Sequence, residues 1–319
     1  MRLPDNFKSG FNRKSTAEDV TEGVDLSGKT VLITGAAGGL GQESMRVLAL
    51  RGAHIIGLDR SKESVEAAGA GLSKGQLTAY GCDLADPDSI VACTDAIAKK
   101  FKVIDVVLTN AGIMAPPETI VSGKYSEPLE IQFAVNFLGH YVLINRLMPL
   151  IKAAPSARLA IVASEGYVTA PKKVGIALDD LDSQKRGYDA LETYGHSKLA
   201  VMLMNLELAR RFDGTSITAN SIHPGVIRTN LASDSTDFKV KLISMFAGPW
   251  TRTIGQGAAT HCFVAVHPSL DGVNGMHFAD SNPKQPKGHA LDQELAGRLW
   301  DKARELAADY VKPDNLFGT

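Results

Sequence analysis

The sequence predicts a single α/β domain built on a doubly wound parallel sheet, with helices on both faces. Three observations carry this reading. Short runs of β-forming residues alternate with helical spacing along the chain. One of these runs, Val103 to Leu108, is almost wholly apolar, as a strand buried on both faces must be. The first run ends in a glycine-rich turn that opens a helix. The 319 residues show no internal repeat and no low-complexity linker, which favours one large domain over two small ones. Right-handed crossovers then make a parallel sheet doubly wound.

Taken in order, residues 1–28 read as an N-terminal extension lying on the surface, and residues 29–319 as the domain. Thr30-Val31-Leu32-Ile33 is the first strand, and Met45, Leu48 and Ala49 recur at helical spacing behind the glycine turn. His54 to Leu58, Leu77 to Gly81, Val103 to Leu108, Leu159 to Ala163 and Ser216 to Ile222 follow as strands, and Met276-His277-Phe278 is the last. Asn282 to Gly288 is the one Pro/Gly-rich stretch and reads as a loop. Two segments exceed an ordinary connection of about 2–6 residues. Residues 165–193 carry Tyr167, Tyr188 and several charges, as a segment shaping a substrate pocket would. Residues 231–250, with Leu242, Ile243, Met245, Phe246 and Trp250, either pack on the domain or cover a hydrophobic substrate. Both are substrate-lid candidates.

The bulk properties exclude several functions. A formal net charge of -1 gives nucleic acid or an anionic membrane nothing to bind. The three cysteines, Cys82, Cys93 and Cys262, have no paired spacing, so neither a disulfide framework nor a metal site is expected. Met1 to Asp25 lacks the apolar core of a signal peptide, and no apolar run approaches the roughly 20 residues of a membrane span. The expected location is the cytoplasm.

The glycine turn has a physical purpose. Gly35, Gly38, Gly39, Leu40 and Gly41 stand where a backbone without side chains can turn tightly and approach a pyrophosphate. The next helix offers unpaired N–H groups and the positive end of its dipole. With this loop the fold reads as Rossmann-type. Asp59, closing the second strand, can accept hydrogen bonds from ribose hydroxyls and would repel a 2′-phosphate, so NAD is favoured over NADP. Arg60, just beyond it, could clamp such a phosphate, stack on adenine, or point to solvent. Asp83 closes the third strand and can meet an adenine amino group.

Tyr194-Gly195-His196-Ser197-Lys198 opens a helical stretch, so Tyr194 and Lys198 share one face. A phenol titrates near 10, and an adjacent ammonium is expected to lower that value, making Tyr194 a usable acid/base. Ser164 follows the fifth strand, poised to hydrogen-bond a substrate oxygen. Asn136 lies in an apolar helical run and needs partners; a water leading to Lys198 is expected to be one. His140 and His223 belong to no metal-spaced cluster and read as hydrogen-bonded structural histidines, and Trp300 reads as core.

Together, Thr34-Gly35-x-x-x-Gly39-x-Gly41, Asp83-Leu84, Asn110-Ala111-Gly112, Asn136, Ser164, Tyr194-x-x-Ser197-Lys198 and Pro224-Gly225 stand in the order of the short-chain dehydrogenase/reductase family, which the chain resembles over roughly residues 20 to 310. Gln132-Phe133-x-x-Asn136-x-x-Gly139-His140, His223-Pro224-Gly225, Gln256-Gly257-Ala258-Ala259-Thr260 and Leu299-Trp300 resemble the branch of the retinol dehydrogenases and the WW-domain-containing oxidoreductase. No WW domain precedes the core. The resemblance implies Tyr194 as acid/base, Lys198 as its activator and ribose ligand, Ser164 on the substrate oxygen, and Asn136 as organiser of a proton relay. It implies Asp83, Leu84 and the backbone of Asn110, Ala111 and Gly112 along the adenosine side. Pro224, Gly225, Ile227 and Thr229 are implied around the nicotinamide carboxamide. Thr109 and Ala163 depart from the family pattern, Thr109 at the cost of one structural hydrogen bond. The implied reaction moves a hydride between nicotinamide and a lipophilic or aromatic alcohol, aldehyde or ketone. The alternatives are reduction of a C=C bond, as in protochlorophyllide reductase relatives, and a non-catalytic dinucleotide sensor. Family members often pair through the helices carrying Asn136 and Tyr194, so a homodimer is the expected assembly.

Overall fold

The computed structural model describes residues 3–4, 6–227 and 251–312. Thr229 and the lid candidate 231–250 lie outside the described residues. One eight-stranded sheet organises the domain. Its strands are β1 (Thr30–Thr34), β2 (His54–Asp59), β3 (Leu77–Gly81), β4 (Val106–Thr109), β7 (Ala157–Val162), β8 (Ile217–His223), β9 (His277–Ala279) and β10 (Asn282–Pro283), and a separate ribbon pairs β5 (Val121–Ser122) with β6 (Leu129–Glu130). The spatial order is β10-β9-β8-β7-β4-β1-β2-β3, and every pair is parallel except β9 with β10. The order reverses between β1 and β4, so connections leave these neighbours toward opposite sides and a crevice opens at their carboxyl ends.

The continuous apolar runs are explained by two cores. Side chains alternate across a strand. Leu32, Ile56, Val107, Leu159 and Ile161 enter one core, while Val31, Ile33, Ile55, Val106, Leu108, Ala160 and Val162 enter the other. The first core is closed by α3 (Pro87–Lys100), the composite helix α4 (Ile131–Phe133) to α5 (Gly139–Lys152), and α6 (Ala190–Arg211). The second is closed by α1 (Gly39–Leu50) and α7 (Ile254–Val266). The short α2 (Lys62–Ala68) follows β2 and is capped by Ser61.

Several boundaries differ from expectation. β4 starts at Val106 because Asp105 is spent as an anchor: its carboxylate accepts from Lys29 Nζ and from Thr30 N–H, both at 2.9 Å. Asn282 to Gly288 is not wholly a loop. Asp280 and Ser281 adopt φ of 55° and 57°, turning the chain back so that Asn282 and Pro283 pair antiparallel with β9. The N-terminal extension is more than a surface strand of coil. Ala17 and Val20 are fully buried, and Phe11 meets Phe263 and His267 edge-on at ring distances of 5.8 and 5.6 Å.

The last helix, α8 (Gln293–Leu306), bears on assembly. It packs against α6, with Trp300 edge-on to Tyr141 of α5 at 4.9 Å and beneath the Arg211 guanidinium at 4.6 Å. Just beyond it, Asn145 and Arg146 of α5 bond the backbone of residues 310–312. The helix α8 therefore covers part of the α5 and α6 faces expected to pair two chains.

Trp300→Ala is expected to destabilise the fold by about 3–5 kcal/mol, the range for deleting a buried large aromatic. Denaturant unfolding measures this; a loss under about 1 kcal/mol would show that α8 is only loosely attached.

Candidate functional site

The glycine turn leaves β1 at Gly35, whose φ is 67°. A Cβ on Gly35 would lie 2.9 Å from Asn110 Nδ2, and one on Gly41 would lie 2.0 Å from the Gly35 carbonyl. Asn110, one residue beyond β4, explains the tightness: its Nδ2 donates to the carbonyls of Thr34 at 2.9 Å and Gly35 at 3.2 Å. Gly38 differs, because a Cβ there would meet nothing within 4 Å. It is the N-cap of α1 and no side chain caps that helix, whereas Ser61, Asp86, Asp189, Thr253 and Asp292 cap later helices. An open approach over uncapped N–H groups fits a dinucleotide pyrophosphate. Leu40 packs with Ile227 around Gly257, where a Cβ would lie 2.4 Å from one side chain and 2.7 Å from the other.

Asp59 sits at the end of β2, partly exposed, with Oδ2 accepting from Ala37 N–H at 3.1 Å and Oδ1 from Arg60 N–H at 2.8 Å. Its carboxylate is thereby fixed against the glycine turn, and Arg60 is exposed. Asp83 uses Oδ1 to hold its own turn, accepting from Ala85 N–H at 2.9 Å. Leu84 is buried in the core, so its side chain serves packing rather than a cofactor. Gly112 stands near the reaction-centre candidates. A Cβ there would lie 3.1 Å from Asn136 Oδ1 and 3.4 Å from Lys198 Nζ, which puts this end of the loop beside the lysine.

Asn136 stands in a π-helical turn, Ala134–Leu138, between α4 and α5. Turns of this kind arise as local insertions and cluster at functional sites. Protein groups satisfy its side chain. Oδ1 accepts from Ile113 N–H at 2.9 Å, and Nδ2 donates to the Ile113 carbonyl at 3.0 Å and to Ser197 Oγ at 2.9 Å. The Ile113 backbone and Ser197 are thus its protein partners. The hydroxyl of Ser197 passes its own proton to the Tyr194 carbonyl at 2.8 Å.

Ser164 lies two residues beyond β7 and caps the 3-10 turn Glu165–Thr169, its Oγ accepting from Gly166 N–H at 3.0 Å. It also lies close enough to the Tyr194 phenol to favour the phenolate. Gly166 is needed for this approach, since a Cβ would lie 2.8 Å from the Tyr194 ring. Lys198 donates from Nζ to the Val162 carbonyl at 3.2 Å and lies 5.9 Å from the centre of the Tyr194 ring. The expected lowering of the phenol by this ammonium is not what the structure gives. Burial raises the Tyr194 phenol, the Ser164 hydroxyl opposes that rise, and burial pushes Lys198 down to about 8. Desolvation penalises both charged forms, and the amine is turned toward Val162 rather than the phenol oxygen.

The other segments are placed as follows. Gly225 has φ of 89°, and a Cβ there would fall 2.5 Å from the Arg252 guanidinium. Arg252 donates to the Pro224 carbonyl at 3.2 Å, bridges to Ile227 and pairs with Asp280. Nothing in the sequence signals Arg252, because its partners come from two distant segments. Glu165 also escaped notice. Its carboxylate meets His277 at 3.2 Å and Lys284 at 3.1 Å, and is held down to about 2, first by the His277 hydrogen bond. A histidine inside a strand needs partners, and that was the available signal. His223 accepts from Glu165 N–H at 3.2 Å, a structural role as expected. Much of 165–193 is packed rather than free: Ile176, Ala177 and Leu181 are buried, and the Tyr188 hydroxyl donates to the Pro116 carbonyl at 2.6 Å. Among the described residues no cluster of metal-ligating side chains exists, and no helix is long and apolar enough to cross a membrane.

Comparison with known proteins agrees with this geometry. Residues 29–174 match the family described as short chain dehydrogenase. The chain is similar to the short-chain dehydrogenase TIC 32 B, chloroplastic, of Brassica napus, with 35% identity covering 94% of this chain and 95% of that protein. It is similar to human retinol dehydrogenase 14, with 34% identity covering 86% of this chain and 85% of that protein. A crystal structure of an uncharacterized protein from Mycobacterium paratuberculosis superposes with a TM-score of 0.72 at 29% identity, covering 91% of this chain and 97% of that one.

The lowered Lys198 value has a thermodynamic sign. The folded chain releases this proton near pH 8, while the unfolded lysine keeps it to its ordinary value of 10.5, so the unfolded state binds more protons in between. The burden of burying the amine is full below about pH 8 and fades as pH rises toward 10.5. Lys198→Met is therefore expected to gain stability over the parent below pH 8, and that gain should shrink between 8 and 10.5. Unfolding curves of both proteins across this range check it; a gap that widens with pH would contradict the assignment.

Proposed function

Because the chain belongs to the short-chain dehydrogenase/reductase family, in its retinol dehydrogenase-like branch, we propose that this oxidoreductase interconverts a lipophilic alcohol with its aldehyde or ketone, using NAD. The observation that carries the reading is the meeting of Ser164, Tyr194, Lys198 and Asn136 beside Gly112, at the carboxyl ends of the central strands. When bound, the dinucleotide supplies or accepts the hydride. The cradle of Gly35, Gly38, Gly39 and Gly41 would hold its pyrophosphate, Asp59 and Asp83 its adenosine half, and Lys198 with Gly225 and Ile227 its nicotinamide half. Ser164 orients the substrate oxygen, and Tyr194 exchanges the proton on that oxygen. Lys198 stabilises the phenolate that results once it turns from the Val162 carbonyl.

The mouth of the site supports an apolar substrate. Met114, Tyr188 and Leu191 pack around the buried Ala115 and Ala190, and Leu191 lies one helical turn before Tyr194. Val226, beside Gly225, is 48% exposed. The segment 165–193 would form one wall of this pocket.

Tyr194→Phe is expected to lose nearly all turnover while binding dinucleotide close to normally, because the ring still packs and only the hydroxyl is gone. Ser164→Ala should lower kcat by about 10²–10³, the scale for one aimed donor. Steady-state rates followed by nicotinamide absorbance, with a panel of alcohols and ketones, decide both; a Tyr194→Phe enzyme that kept most of its kcat would remove this mechanism. Product analysis showing a reduced C=C bond beside an untouched carbonyl would reassign the reaction.

The NAD preference rests on Asp59. Its carboxylate is pinned at the end of β2, where the ribose 2′-oxygen belongs, and two unit charges about 4 Å apart repel by up to about 4 kcal/mol at an effective dielectric near 20. A preference for NAD over NADP of at least about tenfold in kcat/KM is expected, or about 1.4 kcal/mol. Asp59→Ala should narrow it. A parent enzyme that prefers NADP would overturn the cofactor assignment.

A further inference from the structure

We propose that His140 is a positioning residue that locks the dinucleotide-binding edge to the Asn136 carbonyl through one ordered line of hydrogen bonds. The proposal rests on the reading of Asn136 and Lys198 as part of the reaction centre. His140 is buried at the start of α5, with 2% of its surface exposed. Its Nδ1 lies 3.0 Å from the Asn136 carbonyl, and its Nε2 lies 2.9 Å from Thr34 Oγ1. Thr34 Oγ1 in turn accepts from Ala111 N–H at 2.9 Å.

Every proton in this line can be assigned. A carbonyl only accepts, so Nδ1 carries the hydrogen. Burial pushes the ring down to about 4, so it is neutral at ordinary pH and Nε2 is bare. The Thr34 hydroxyl must then donate to Nε2, which leaves its lone pairs to receive the Ala111 N–H. The line runs from the loop between β4 and the ribbon, through the last residue of β1, to the widened turn that carries Asn136. It is closed by a second path: Asn136 grips Ile113, two residues beyond Ala111. Gly112, caught between these two anchors, is the residue whose Cα faces Lys198. His140 thus has two separable arms. The Thr34 arm sets the Asn110–Gly112 loop against the glycine turn, and the Asn136 arm fixes the π-helical turn whose Asn136 amide lies with Lys198 beside Gly112.

Two amide variants separate the arms. His140→Asn places an amide N–H near the Nδ1 position and leaves Thr34 without its acceptor. It should keep kcat within about threefold of the parent and weaken dinucleotide binding about tenfold, the effect of one lost hydrogen bond. His140→Gln places its amide oxygen near the Nε2 position and frees the Asn136 carbonyl. It should bind dinucleotide within about threefold of the parent and lose about tenfold in kcat. His140→Phe should lose both. Thr34→Val keeps the histidine and cuts the same arm as His140→Asn, together with the Ala111 bond, so the double variant should bind no worse than Thr34→Val alone; losses that multiply would overturn the coupling. Should the phenylalanine variant fail to fold, this pair still decides. The ring's nitrogen chemical shifts in cofactor-free protein should show Nδ1 protonated and Nε2 bare, and the opposite tautomer would sink the proposal. Unchanged affinity and kcat in His140→Phe would do the same. Affinity and tautomer are read without turnover, so they stand apart from the alcohol/carbonyl assignment.

Discussion

Where β1 and β4 stop side by side, their last peptide groups lose the sheet ladder and are shielded from water. A buried polar group left unpaired costs about 1–3 kcal/mol, so these groups must be satisfied from within the chain. Side chains supply the partners. Asn110 takes the carbonyls of Thr34 and Gly35, Thr34 takes the N–H of Ala111, and Asn136 takes both polar groups of Ile113. The glycines follow from this closure rather than preceding it. Gly41 and Gly35 are small because Asn110 stands over them, and Gly112 is small because Asn136 and Lys198 do. The surface that receives a dinucleotide and the surface that performs proton chemistry are two sides of one satisfied seam.

Burial shapes the chemistry differently from the simple pairing of a phenol with an ammonium. Tyr194 and Lys198 both sit in the interior with no carboxylate beside them among the described residues, and each is pushed toward its neutral form. The phenol is held neutral, while the amine keeps its charge below about pH 8, with the Val162 carbonyl as its partner. Neighbours in sequence give the spacing of such a pair, but not the dielectric around it or the direction the amine takes.

The strands were legible because each buries two faces, and residues such as Leu32 between Val31 and Ile33 leave an unbroken apolar run. The catalytic candidates were legible because short local motifs carry them. What escaped depends on partners far along the chain. β10 contains a proline and an asparagine and is held as a strand by the turn at Asp280 and Ser281, not by any apolar pattern. The N-terminal segment looks polar overall, yet Phe11, Ala17 and Val20 find an apolar seat on α7 that only the folded domain provides. His140 reads as one more buried histidine until Thr34, 106 positions away, is seen against its Nε2.

The helix that covers α6 is also the last regular element among the described residues. Seventeen of the residues of α6 are buried, so the helix has almost no face designed for water. On the ribosome, the cradle, the seam and the whole of α6 emerge well before Gln293, and until α8 docks, the side of α6 it covers stands open. Such bare apolar surface on a nearly complete chain invites association with other chains or capture by a chaperone. A message truncated even slightly upstream of α8 would thus yield a protein with every catalytic candidate in place and one flank unsheathed. Quality control for this fold thus bears on α8, a helix made after the chemistry has already been encoded.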